Sequence, residues 1–139
     1  MNESNESAVR RLIEDGWNSR DPARLADYYD NPVSFRSPLV GQLETLEEVE
    51  QFAGRLFRAF PDASMKVTRL IEAGRNVFVH FAASGTNTGP LPDGGAATGR
   101  SMKFDGLAHV VVENGKVRQD WVYYDALSLF RQLGLAPQA

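Results

Sequence analysis

Apolar residues recur at helical spacing in the first part of the chain. Residues 5–18 place Val9, Leu12, Ile13 and Trp17 on one face and Arg10, Arg11, Glu14 and Asp15 on the other, which predicts an amphipathic helix. Asp21 followed by Pro22 supplies an N-cap with proline at the first helical position, and opens a short helix through Leu25, Tyr28 and Tyr29 that Asn31-Pro32 breaks. A short strand is expected over 33–36. Thr45 and Glu48 form a capping box ahead of Leu46, Val49, Phe52, Ala53, Leu56, Phe57 and Phe60, the clearest helix in the sequence, ended by Pro61. The period then changes to two. Met65, Val67 and Ile71 alternate with polar positions, a turn follows at Gly74, and a second strand is expected over 77–83. Residues 85–99 hold five glycines and two prolines and read as a loop, a mobile cover near an opening. A long hairpin runs from Ser101 through Phe104, Leu107 and Val110 to Val112, turns at 113–116 and returns through Val117 to Tyr124. Asp125 caps a last helix over 126–133, stopped by Gly134 with Pro137 beyond.

This order predicts one α+β domain over 1–139. Long antiparallel strands must bury one face against the amphipathic helices, because no other element can cover them. A strongly curved sheet wrapped around the N-terminal helices leaves a cone whose open end is an apolar pocket. Trp17, Tyr28, Phe35, Phe57 and Phe60 are the aromatic candidates to line it. With 42% hydrophobic residues in 139, the chain can fill one core but not two. Fifteen basic residues against 18 acidic give a formal charge of −3, so nucleic acid is not an expected partner. No apolar run approaches the length of a membrane span, and Met1-Asn2-Glu3-Ser4 lacks a basic and apolar leader, so a soluble cytoplasmic protein is expected. With no cysteine, and with His80 and His109 the only histidines, chemistry must come from carboxylates, hydroxyls, imidazole or arginine, and no metal site is expected.

Several stretches, in order and over nearly the whole length, carry a resemblance: 28–38 with Gly41, 84–89, Thr98-Gly99-Arg100, Gly115-Lys116-Val117, Trp121, Asp125 and Gln132-Leu133-Gly134. In these the chain resembles the SnoaL-like polyketide cyclase or ester cyclase group of the nuclear transport factor two-like superfamily. The resemblance implies a cone-shaped, cystatin-like α+β barrel, usually dimeric. It also implies where related enzymes keep their acids. Ketosteroid-isomerase-like members have an aspartate before the proline that ends the first strand, where Ser37 stands here, and a second on the penultimate strand, where Ala108 stands. Cyclase-like members have an aspartate seven residues after the hairpin glycine, where Val122 stands, with Asp120 and Asp125 the nearest carboxylates. The paired arginine and aspartate of epoxide-hydrolase-like members have no counterpart in 77–80. SnoaL-like members often carry histidine where Asn87 stands.

The facing of Asp120 depends on the hairpin register, because a one-residue slip moves every side chain to the other face. If Asn114-Gly115 is a two-residue turn, Ala108 opposes Trp121, and Asp120 lies outside beside His109. If residues 113–115 form a three-residue loop, Ala108 opposes Asp120, which then projects inward among Phe104, Gly106, Val110, Val122 and Tyr124. The resemblance favours the second arrangement, with Leu107, His109 and Trp121 on the convex face at a dimer contact. Asp125 reads as a helix cap, and Glu44, Glu47, Glu48 and Glu50 as a solvated helix face.

The expected function is that of a cofactor-independent cyclase or isomerase acting on a small apolar carbonyl or ring compound by proton transfer. Asp120 is its acid or base, His80 a possible partner, and Tyr124 a donor to a developing enolate, with Phe104 and Val122 beside them. The alternative is a non-catalytic ligand-binding or dimerisation module on the same fold.

Overall fold

The computed structural model describes residues 4–135, so Met1-Asn2-Glu3 and Pro137 lie outside the described residues. Helix α1 (Asn5–Arg11) continues into a π-helical turn (Leu12–Gly16) and a 3₁₀ turn (Trp17–Ser19), where the sequence pattern predicts one regular helix. The wider turn keeps Leu12, Ile13 and Trp17 on the buried side. A 3₁₀ helix (Pro22–Asp27) follows, capped by the Asp21 side chain on the Ala23 amide.

Strand β1 (Tyr29–Ser37) starts four residues earlier than expected, so Tyr29 belongs to the sheet and not to the preceding helix. Pro32, which has no amide to give, falls where the β1 ladder is irregular, between Tyr29 and Ser34. Strand β2 (Gly41–Leu43) has no signal in the sequence; three residues, two of them glycine and glutamine, carry no alternation to detect.

Helix α2 (Leu46–Ala59) begins with the expected capping box, Thr45 Oγ1 accepting from the Glu48 amide at 3.1 Å while Glu48 accepts from the Thr45 amide at 3.1 Å. Thr45→Ala should therefore cost about 1 kcal/mol, read as a lower urea midpoint with unchanged slope.

Strands β3 (Ser64–Ala73), β4 (Asn76–Thr86), β5 (Ser101–Glu113) and β6 (Lys116–Tyr123) complete a six-stranded open sheet ordered β2-β1-β6-β5-β4-β3. Neighbouring strands are antiparallel, as expected, except β1 and β6, which run parallel. The sheet curves round α1 and α2, and its inner positions alternate: Val77, Val79, Phe81 and Ala83 on β4, and Ala108, Val110 and Val112 on β5. Helix α3 (Ala126–Gln132) is capped by Asp125 on the Ser128 amide, and lays Leu129 and Leu133 against Phe60 and Met102.

The β5–β6 hairpin combines parts of both expected registers. Asn114 and Gly115 both have left-handed backbone, φ 52° and 78°, as a two-residue turn requires. Pairing begins Glu113 with Lys116 and Val112 with Val117, but then jumps to Val111 with Gln119, so Arg118 is an extra residue bulged out to solvent. Ala108 therefore opposes Val122, not Trp121 or Asp120, and Asp120 sits opposite Val110 on the inner face.

Residues 87–100 form the glycine-rich loop, and none of them lines the cavity described below, a correction to the cover expected of it. Its base is held by Asn87. This fully buried side chain donates to the carbonyls of Ala59 and Gly89, both at 3.0 Å, and accepts from the Thr98 amide at 2.7 Å. Where the resemblance implies a histidine, this chain has a structural amide. Among the described residues no helix is long and apolar enough to cross a membrane.

Candidate active site

Between the inner face of the sheet and helices α1 and α2 lies a cavity of about 130 Å³. Its walls are almost entirely carbon. Trp17 is central: its ring centroid lies 6.1 Å from Phe35, 6.5 Å from Phe52 and 6.0 Å from Phe57. Phe81 and Phe104 meet edge to face, and Phe104 packs on Tyr124 at 4.4 Å between centroids. Gly106 leaves room for this, since a Cβ there would fall 2.4 Å from the Phe81 ring.

Among the described residues, Asp120 is the one carboxylate on these walls. It is 5% exposed, brought inward by the Arg118 bulge. Tyr29, on β1, donates its hydroxyl to Asp120 Oδ2 at 2.5 Å, and Trp17 Nε1 donates to the Tyr29 oxygen at 2.9 Å. The direction of this relay is fixed by chemistry. An indole N–H can only donate, so the Tyr29 oxygen accepts from Trp17 and its own proton is free for Asp120. With Oδ2 so engaged, Oδ1 has no protein partner among the described residues and opens on the cavity.

Removal from water destabilises the ionised carboxyl and raises its pKa to about 6, with the Tyr29 hydrogen bond pulling partly the other way. Tyr29 itself is pushed well above its ordinary value by burial and by the neighbouring charge. Tyr124 is likewise raised by burial, partly offset by Ser37, and so stays a neutral donor. Tyr29→Phe should move Asp120 above 6 by removing the bond that favours its ionised form, and should cost about 1–2 kcal/mol of stability. Carbon-detected NMR of the side-chain carboxyl and urea unfolding read the two effects.

The expected residues divide clearly. Asp120, Tyr124, Trp17, Phe35, Phe57, Phe60, Phe104 and Val122 all line the cavity. His80 does not: it alternates outward from Val79 and Phe81, is exposed on the convex face, and cannot reach a ligand inside. Tyr28 does not either. Its ring packs on Gly16, where a Cβ would lie 3.1 Å from it, with the Arg11 guanidinium 5.7 Å from its centre. The tyrosine that reaches Asp120 is the next one, Tyr29, which the sequence pattern places in a helix. Its inward facing follows from parallel pairing with Val117, a contact between residues far apart in the chain.

Ser37, Ala108 and Val122, at the positions where the resemblance implies acids, all reach the cavity wall. Asp120 lies two residues before Val122 on the same face, so a carboxylate enters the space from one step further along the strand. His109 faces outward, hydrogen-bonded to Asn76 at 2.8 Å and stacked on Phe78 at 4.7 Å. No group of three or more histidine, aspartate or glutamate side chains able to hold a metal occurs among the described residues.

A curved α+β sheet closing on helices around an apolar cavity defines a small protein of the nuclear transport factor two-like, or ketosteroid-isomerase-like, fold, and solved structures of that fold match it. The sequence pattern of the SnoaL-like polyketide cyclase family matches residues 7–133, and the chain belongs to that family. Among solved structures, a candidate SnoaL-like polyketide cyclase from Jannaschia sp. CCS1 is 22% identical with a TM-score of 0.82, covering 99% of each chain. TsrD from Streptomyces laurentii is 26% identical, TM-score 0.80, over 96% of this chain and 99% of its own. IdmH, a candidate polyketide cyclase from Streptomyces antibioticus, is 22% identical, TM-score 0.77, over 95% and 99%. No curated protein sequence matches the chain.

Proposed function

We propose that the protein is a cofactor-independent cyclase or isomerase that moves a proton on a small, largely apolar carbonyl or ring compound, with Asp120 as acid and base. The observation that carries this reading is a buried carboxylate with one oxygen fixed by Tyr29 and the other open to an apolar cavity. A carboxyl poised near 6 is close enough to neutral pH both to accept and to return a proton. The ionised form takes a proton from carbon next to a carbonyl, the neutral Tyr124 hydroxyl donates to the developing enolate oxygen, and the protonated carboxyl delivers the proton to its new position. The carbon walls exclude water that would otherwise solvate the carboxylate and weaken it as a base.

Deuterium incorporation next to the carbonyl of a single-ring ketone in deuterated buffer tests the proton step without knowledge of the natural substrate. Incorporation above the buffer rate, lost in Asp120→Asn, is expected; a ketone that binds but exchanges only at the buffer rate overturns it.

The second reading, a binding module without turnover, is favoured by Ser37, Ala108 and Val122 at the positions where related enzymes keep acids. It predicts that binding without exchange. A cytoplasmic homodimer formed through the convex face completes the proposal. Leu107 and Tyr123 face each other there, 47% and 52% exposed, whereas Trp121 is covered by the Arg36 guanidinium at 4.0 Å. Sedimentation and cell fractionation check these two points, and a monomer at micromolar concentration overturns the dimer.

A further inference from the structure

Asp120 creates a charge imbalance in the cavity that the walls do not correct. Among the described residues, no lysine, arginine or histidine lines the cavity. Among the described residues, the other titratable groups beside the carboxylate or on the cavity wall are Tyr29 from β1 and Tyr124 after β6, both held neutral, and neither supplies positive charge. The residues that α1, α2 and β5 present to the cavity are uncharged. A carboxylate withdrawn from water and given one hydrogen bond is left undercompensated, and the missing partner is a cation with at least one donor. The surrounding surface suits a cation of a particular kind. Trp17, Phe35, Phe57 and Phe104 offer aromatic rings, whose electron-rich faces attract positive charge and whose carbon skeletons pack on alkyl groups.

We propose that the cavity binds small apolar tertiary amines in their protonated form, the single N–H donating to Oδ1 of Asp120 and the organic groups packing on the rings around it. The number of donors selects the class. A tertiary ammonium brings one N–H to the one unpaired carboxylate oxygen, whereas a primary ammonium would bring three into walls made mostly of carbon. Size limits it further: a cavity of about 130 Å³ is comparable with the roughly 150 Å³ apolar cavity that holds benzene, which points to a single-ring amine. Carboxylates and phosphates are disfavoured by the same uncompensated charge. Such an amine occupies the oxygen that would accept a substrate proton and therefore competes with turnover. The inference shares Asp120 with the catalytic reading but does not depend on it, since the ion pair forms whether or not the chain turns anything over.

The test is an NMR titration of the full chain with N,N-dimethylbenzylamine and with isobutylbenzene, in which carbon replaces the nitrogen. At pH 8 the amine should bind at least tenfold more tightly. At pH 5, where a carboxyl with its midpoint at about 6 is mostly protonated, the preference should fall towards parity. Asp120→Asn should abolish it at pH 8. Equal affinity for both compounds at pH 8, binding of neither, or a preference that persists at pH 5 or in the variant each overturns the proposal. The pH comparison uses the unmodified protein and so stands whatever the variant does. The ketone exchange experiment reports separately on catalysis.

Discussion

Asp120→Asn should abolish proton transfer while making the protein more stable above neutral pH. Turnover should fall by about 10²–10⁴-fold, because asparagine keeps the shape and can still accept from Tyr29 but can neither take nor give the proton. The stability effect has the opposite sign and its own pH dependence. Burial raises the carboxyl from 3.8 to about 6, so both folded and unfolded chains are protonated below about pH 4, and the group then costs nothing. As pH rises from about 4 through 6 the unfolded chain ionises first, and the folded state loses up to about 3 kcal/mol relative to it. The variant has no such loss. Urea unfolding should therefore show the two proteins nearly level at pH 4 and the variant ahead by about 1–3 kcal/mol at pH 8. A residue retained for stability would give the reverse, which is why the pair of measurements separates a functional carboxylate from a structural one.

The largest loss of stability is expected at the base of the glycine-rich loop, in Gly89→Ala. A Cβ at Gly89 would lie 1.8 Å from the carbonyl oxygen of Arg58 near the end of α2. The clash is with backbone, so no side-chain rotation relieves it. Either the loop must leave the helix, which breaks the Gly89 amide to Ala59 carbonyl bond and pulls at Asn87, or α2 must shift against the core. A cost of about 3 kcal/mol or more follows. Asn87→Ala should cost about 2–4 kcal/mol by stripping partners from two carbonyls and one amide at a fully buried site. Equilibrium unfolding checks both values. Because no residue from 87 to 100 lines the cavity, ligand affinity of the folded fraction should change little in either variant.

What could be read from the sequence was whatever local chemistry determines. The capping box at Thr45 and Glu48, the Asp125 cap and the periodicity of α2 all appear where the pattern puts them. The resemblance implies the inward facing of Asp120, but the chain reaches it by a different geometry. The turn is the two-residue one that the Asn114-Gly115 pair suggests, and a bulge at Arg118 restores the inward facing. Nothing in the residue types around Arg118 marks a bulge, which is set by how β6 must also pair with β1.

The outward facing of His80 is hidden from the sequence for a related reason. β4 carries apolar residues on both faces, with Phe78 outside as well as Val77 and Val79 inside, so alternation alone did not say which way the histidine pointed. The sequence pattern puts both Tyr28 and Tyr29 in a helix, and only the pairing of Tyr29 with Val117 shows which of them reaches the carboxylate. The relay from Trp17 through Tyr29 to Asp120 joins residues from the first helical segment, β1 and β6. No spacing along the chain announces it.

The most direct test of the account is the titration of the Asp120 side chain itself, followed by carbon-detected NMR of the uniformly labelled protein and assigned by its disappearance in Asp120→Asn. A buried carboxylate facing an apolar cavity, held by one tyrosine hydroxyl, predicts a midpoint near 6. A midpoint at or below the ordinary aspartate value of about 3.9 would show a solvated or charge-paired group, and would contradict both the proton-transfer site and the amine site built on it.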